Sequence, residues 1–161
     1  MDDKTAFKIE YGVTPTEVMA SMAGIDFVRG IFAGELPAPP IMENIGPFDS
    51  TAEPGVVVMR SIPGLRHYNP IGSVHGGYAA ALLDSACGCA AHSRLTASQA
   101  FTTLELKVAY HKRITKDTGL LRAEGNLLSF GQRVAFAEAK LTDAQGTLYA
   151  SATSTLLVFD R

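Results

Sequence analysis

Residues 76–91, GGYAAALLDSACGCAA, constrain the fold more than any other stretch of this chain. Twelve of the sixteen are Gly, Ala, Ser or Cys, and only Tyr78, Leu82, Leu83 and Asp84 are larger. The pattern predicts one long helix over Gly76–Ala91. A surface helix needs a charged face, and this segment has one charged residue. It must therefore be buried nearly all round, and its small side chains let neighbouring backbones come close enough for a curled sheet to wrap it. It falls short of the roughly 20 apolar residues that span a bilayer, and Asp84 sits near its middle, so no membrane role is expected.

Strands are expected on both sides of this helix. Val56–Met59 is a short β-branched run ahead of it. Thr103–His111, Leu120–Leu128, Val134–Thr142 and Leu148–Phe159 follow, with short links that favour an antiparallel meander. Alternation along Thr103–His111 places Leu104, Leu106, Val108 and Tyr110 on one face, with Glu105 and Lys107 on the other. Further upstream, Thr14-Pro15-Thr16-Glu17 reads as a capping box opening a helix to about Ala23. Leu36–Ile41, with Pro37, Pro39 and Pro40, reads as an extended connector. The expectation is an α+β chain: an arm over residues 1–50, without chemistry of its own, packed on a domain over residues 51–161.

At 161 residues there is room for one domain. Fourteen Lys and Arg against sixteen Asp and Glu give a net charge of −2, so there is no basic field to hold a nucleic-acid backbone. Cys87 and Cys89 are two apart on the helix, point to different sides and read as small buried hydrophobes. His67, His75, His92 and His111 are not at metal-ligand spacings with carboxylates, and no metal site is expected. The phosphate loop, H-E-x-x-H and G-x-S-x-G patterns are absent. The first residues are polar with no apolar h-region behind them, and a cytoplasmic, reduced location is the expectation.

The chemistry is concentrated in His67-Tyr-Asn69-Pro-Ile-Gly-Ser-Val-His75-Gly76-Gly77, which runs straight into the helix. A helix N-terminus offers unpaired N–H groups and partial positive charge, and glycines leave those donors open to an oxyanion. Asp84 is the only charge between Arg66 and Arg94. A carboxylate among small apolar residues is costly to bury, which marks it as a general base or nucleophile. Gly76 and Asp84 are about 12 Å apart along the helix, so one site using both needs two chains. Lys107, Lys112, Arg113 and Lys116 put four positive charges in ten residues, able to hold phosphates; Arg133 is a further candidate.

The stretch from Asn69 to Gly77, with Asp84 nine residues beyond His75, resembles the hotdog-fold thioesterases, most closely the PaaI-like acyl-CoA thioesterase group. The likeness runs from about Val56 to Phe159. It implies a long helix wrapped by an antiparallel sheet of about five or six strands, with active sites at a dimer interface. By that resemblance Asp84 is the catalytic acid, Gly76 the oxyanion N–H, and Asn69 and His75 lie beside the thioester and attacking water. Thr103 falls near that water with Thr102 adjacent, and Gly77, Lys112, Arg113 and Arg133 are substrate-binding candidates. Relatives often carry Arg-Pro after this strand, where this chain has His111-Lys112-Arg113-Ile114. The implied reaction is acyl-CoA hydrolysis by a homodimer or dimer of dimers, without cofactor because CoA belongs to the substrate. The residues leave two alternatives open: a non-catalytic acyl-CoA-binding domain, and a hydratase-dehydratase on the same fold.

Overall fold

The computed structural model describes residues 9–161. Three short helices, α1 (Thr16–Met19), α2 (Gly24–Phe32) and α3 (Met42–Ile45), precede strands β1 (Pro47–Glu53) and β2 (Val56–Ser61). The long helix α4 (Gly76–His92) leads into β3 (Gln99–Tyr110), β4 (Leu121–Phe130), β5 (Val134–Asp143) and β6 (Leu148–Asp160). All six strands form one antiparallel sheet in the order β1-β2-β4-β5-β6-β3, and β2 to β6 pack on α4. This is the α+β hotdog arrangement.

The small residues of α4 do what their size allows. A Cβ on Gly125 of β4 would lie 2.2 Å from the Ala86 carbonyl oxygen, so strand and helix meet backbone to backbone. Leu82, Leu83, Ala86, Cys87, Ala90 and Ala91 form the floor of the core. Burial is not complete, however. Gly77 is exposed and Ala80, Ala81, Asp84 and Ser85 are half-buried, because the sheet of one chain covers only part of the helix circumference.

The sheet departs from a simple meander. β4, β5 and β6 follow one another, but β3 pairs with β6 at the far edge, leaving β2 beside β4. The link over residues 111–120 is long enough to cross the end of the sheet, and it holds a tight turn at Lys116–Thr118. The alternation on β3 also breaks. Thr103 faces Leu156 and Glu105 faces Thr155, so Leu104 is the extra residue of a bulge and is exposed. A bulge reverses the parity of the strand, and Thr103 turns inward with Leu106 and Val108.

The N-terminal segment differs more. α1 is a single turn capped by Pro15 without a side-chain bond; Thr14 is buried and does not cap. Ser21 Oγ donates to the Val18 carbonyl at 2.8 Å, competing with helix continuation, and the chain restarts as α2 at Gly24. A Cβ on Gly24 would sit 1.8 Å from the His92 carbonyl oxygen, so α2 docks end-on against the C-terminus of α4. The proline-rich connector is extended around the Tyr11–Ala38 bridge but turns at Pro40–Ile41 into α3, where the Met42 N–H donates to the Pro39 carbonyl, and β1 straddles the boundary between residues 50 and 51.

Candidate active site

The N-terminus of α4 is built by its own cap. His75 Nδ1 accepts the Gly77 N–H at 2.8 Å, and the His75 N–H donates to the His67 carbonyl at 2.8 Å. With Nδ1 accepting, the ring proton lies on Nε2. Gly77 therefore offers no free donor, while the Gly76 N–H has no acceptor among the described residues. Gly76 is the open donor of the helix end. Asn69 closes the preceding loop: its Oδ1 accepts the Ile71 and Ser73 N–H groups at 3.1 and 3.2 Å, and its Nδ2 donates to Ser73 Oγ at 3.1 Å.

Two turns along the helix, Thr103 Oγ1 donates to Asp84 Oδ1 at 3.2 Å. The bulge on β3 makes this bond possible by turning Thr103 toward the helix; Thr102 faces outward and is exposed. Asp84 lies on the half-buried stripe of α4, and its second oxygen has no hydrogen-bond partner among the described residues. Its carboxylate stands about 12 Å along the axis from the Gly76 donor.

Basic side chains divide between the two ends of β3. Lys112 and Arg113 line a cleft of about 370 Å³ together with His75, Gly76 and Tyr110. Arg113 donates to the Gly72 carbonyl at 2.6 Å, and the Lys112 ammonium lies 5.4 Å from the Tyr149 ring centroid. Lys116 is paired with Asp117, and Lys107 lies on the outer sheet face beside Glu138 and Lys140. Arg133 sits in the β4–β5 hairpin, its carbonyl bonded to Val158 N–H at the Phe101 end of β3, and one chain does not bring it to Lys112 and Arg113.

Three features carry no local signal in the sequence. Tyr110 donates to the Gly76 carbonyl at 3.0 Å and covers Gly76 so closely that a Cβ there would meet its ring at 3.0–3.2 Å. Tyr78 OH donates to Ser61 Oγ at 2.7 Å, which donates to the Ile45 carbonyl at 2.8 Å. His67 packs tilted against Tyr78, with ring centroids 4.5 Å apart, accepts the Gly64 N–H at Nδ1 and donates from Nε2 to the Asn44 carbonyl at 2.8 Å. Burial, helped by the Arg66 guanidinium, holds the His67 pKa below its ordinary value, while burial raises that of Tyr78. Burial also pushes both cysteine thiols to about 12, with the Asp84 charge adding to it, so neither is a nucleophile at neutral pH. No group of three or more His, Cys, Asp or Glu among the described residues has the geometry to hold a metal ion.

An open N–H at a helix start, a carboxylate and hydroxyl further along it, and a basic cleft beside it form a layout suited to acyl transfer. A family model described as the thioesterase superfamily matches residues 71–150, which include Gly76, Asp84, Thr103 and the basic cleft. The chain belongs to the thioesterase superfamily. Solved structures resemble this thioesterase-superfamily chain over most of its length. A thioesterase family protein from Silicibacter pomeroyi is 25% identical with a TM-score of 0.75, covering 86% of this chain and 100% of its own. A phenylacetic acid degradation-related protein from Ralstonia eutropha is 25% identical with a TM-score of 0.73, covering 81% and 98%. A Streptococcus mutans protein bound to acetyl CoA is 24% identical with a TM-score of 0.63, covering 70% and 89%. No curated protein matches the sequence.

Proposed function

We propose that the chain hydrolyses acyl-CoA thioesters in sites shared between two copies. The observation that carries this reading is the bond from Thr103 to Asp84 on the same helix whose first N–H, at Gly76, is open. The Gly76 N–H, at the positive end of α4, stabilises the charge that develops on the thioester oxygen. Asp84 takes a proton from water as the water oxygen attacks the carbonyl carbon, or it attacks that carbon itself, in which case water then hydrolyses the anhydride of the acyl group and Asp84 left after the thiolate departs. Collapse of the tetrahedral adduct breaks the C–S bond and releases the CoA thiolate. Lys112 and Arg113 supply positive charge for the CoA phosphates. The CoA-bound Streptococcus mutans relative supports that choice of carrier.

Two copies are needed because 12 Å of helix separates the donor from the carboxylate. β3 is a twelve-residue edge strand with one side unpaired, an open template for a second strand. Antiparallel pairing of two such strands about the Leu106–Lys107 midpoint sets Thr103 of one copy opposite Tyr110 of the other. Asp84 bonds Thr103 and Gly76 bonds Tyr110, so this register draws each donor toward the other chain's carboxylate.

The test is thiol release from a panel of acyl-CoAs by the wild type and by Asp84→Asn. The wild type is expected to release free CoA. The variant should lose at least about 100-fold in kcat with its circular dichroism unchanged, the usual scale for removing an acid/base group. Full activity in the folded variant would overturn the mechanism, and no thiol release by wild type would overturn the function.

A further inference from the structure

The first turn of α4 is weak where the chemistry needs it firm. It opens on Gly76 and Gly77, and glycine loses more conformational freedom than any other residue when a helix fixes it. The N–H groups of a helix start also lack partners in a preceding turn. An oxyanion donor, however, works only if it is aimed before the charge develops. His75 and Tyr78, on either side of the glycines, are tied to neighbouring segments through His67 and Ser61. Among the described residues, the one bond that reaches Gly76 itself from outside the helix comes from Tyr110, whose hydroxyl donates to the Gly76 carbonyl at 3.0 Å across 34 positions of sequence. The phenol lies where a side chain on residue 76 would begin. An added Cβ there needs the ring to give by a few tenths of an ångström, which leaves the bond in place.

The same strand also holds the carboxylate. Thr103 of β3 bonds Asp84, and Tyr110 closes β3 seven positions later. In an unbroken strand an odd spacing puts two side chains on opposite faces. The extra residue at Leu104 brings both back to the helix side, so β3 grips α4 at its two functional points. We infer that Tyr110 is a positioning residue: through the Gly76 carbonyl it holds the open Gly76 N–H at the aim the oxyanion requires. This role rests on the hydrolytic reading above and assigns a further residue to it. In the paired register Tyr110 of one copy stands opposite Thr103 of the other, and the two strands together set donor against carboxylate.

Tyr110→Phe keeps the ring on Gly76 and removes only the bond. On the acyl-CoA that wild type turns over fastest, kcat should fall at least about tenfold, short of the ~100- to 1,000-fold cost of losing an oxyanion donor outright, with KM within about twofold. Two CoA probes separate aim from shape: S-propyl-CoA, a thioether without a carbonyl, and a CoA trifluoromethyl ketone, which hydrates to a tetrahedral centre bearing oxygens. The variant should bind the thioether as wild type does and lose at least about fivefold on the ketone, because only the tetrahedral centre draws on the aimed donor. Difluorotyrosine at position 110 keeps ring and hydroxyl in place, but it ionises at lower pH than tyrosine, and a phenolate cannot donate. Its kcat should show a basic limb that wild type lacks, with circular dichroism constant across it. If Asp84→Asn is inactive while Tyr110→Phe keeps full kcat, or the difluorotyrosine protein shows no new limb, the positioning role falls and the hydrolytic reading stands. Equal weakening of both probes would make Tyr110 a wall of the cleft and would overturn the role as well. If wild type releases no thiol, both fall together.

Discussion

At the scale of single residues, the site depends on one hydrogen bond to a carboxylate and on the helix-end N–H of Gly76 left open. Thr103 donates to one oxygen of Asp84, and the other oxygen has no hydrogen-bond partner among the described residues. A hydrogen bond to a charged group is worth about 1.5–3 kcal/mol, and its loss from a reacting carboxylate should cost roughly 10- to 100-fold in kcat. Thr103→Val is therefore expected to fall by that amount and Thr103→Ser to recover most of it. Equal kcat for Val and wild type would show that Asp84 needs no such positioning. Asp84 was legible in the sequence because a lone charge in an Ala-rich helix demands a reason. Thr103 was legible with Thr102 as the adjacent candidate, but the bulge that turns Thr103 toward Asp84 is a property of strand pairing and leaves no mark in the residue pattern. Tyr110 was legible only as part of an apolar face, since nothing local ties it to a carbonyl 34 positions earlier. His92 gives a test on stability. Stacked on Phe27 at 4.7 Å, it is held by burial, and secondarily by the Arg161 charge, at a pKa of about 4. The unfolded chain, with a histidine pKa near 6.5, binds more protons between those values. Stability is thus full above about pH 6.5 and declines as pH falls toward 4, by about 3 kcal/mol in all. Thermal melts between pH 7 and pH 4.5 should fall less steeply for His92→Gln than for wild type; parallel curves would remove His92 as the cause.

At the scale of elements, the fold depends on how closely β4 approaches α4. The contact opposing Gly125 is the Ala86 carbonyl, which is backbone and cannot swing aside. Gly125→Ala should therefore cost at the upper end of the 1–3 kcal/mol typical of overpacking, or more. Gly64, where an added Cβ meets nothing, is the control: Gly64→Ala should be neutral within about 0.5 kcal/mol. Urea midpoints compare the two, and similar shifts for both would refute the close-approach argument. This approach is the part of the fold most plainly written in the sequence, since a run of Gly, Ala, Ser and Cys has no other use in a buried helix. Strand existence was legible for the same kind of reason, from β-branched runs punctuated by turn residues. Strand order was not. Short links argue for neighbours, yet β3 and β4 are separated by a ten-residue link that crosses the sheet end, and only the gain from pairing β3 with β6 decides the matter. The N-terminal arm was the least legible element. Its helices are short, their caps are not made by side chains, and α2 is fixed by contact with His92 and Leu95, far away in sequence.

At the scale of the whole molecule, one chain presents half of each proposed site, and this can be tested by mixing. Asp84→Asn removes the carboxylate. Gly76→Pro removes the oxyanion N–H at a first-turn position that tolerates proline, and His75 before it already has the extended backbone that a following proline requires. The added ring carbon meets Tyr110, so Gly76→Ala serves as its companion: it brings the same Cβ but keeps the N–H, and should retain most of the activity. Each of the two inactive variants is unfolded and refolded with the other in equal amounts. Random pairing makes half of the dimers mixed. Each mixed dimer then holds one site with both functional groups and one with neither, because two-fold symmetry gives the two chains equivalent, reciprocal contacts. Activity should return to roughly a quarter of wild type, and it should appear only in the fraction that size-exclusion and mass analysis identify as mixed. If one chain held a complete site, every site in the mixture would lack one group and no activity would return. Mixed dimers without activity would thus reject sharing, and would require the thioester to be placed wholly against one copy of α4, with a base other than Asp84 beside Gly76.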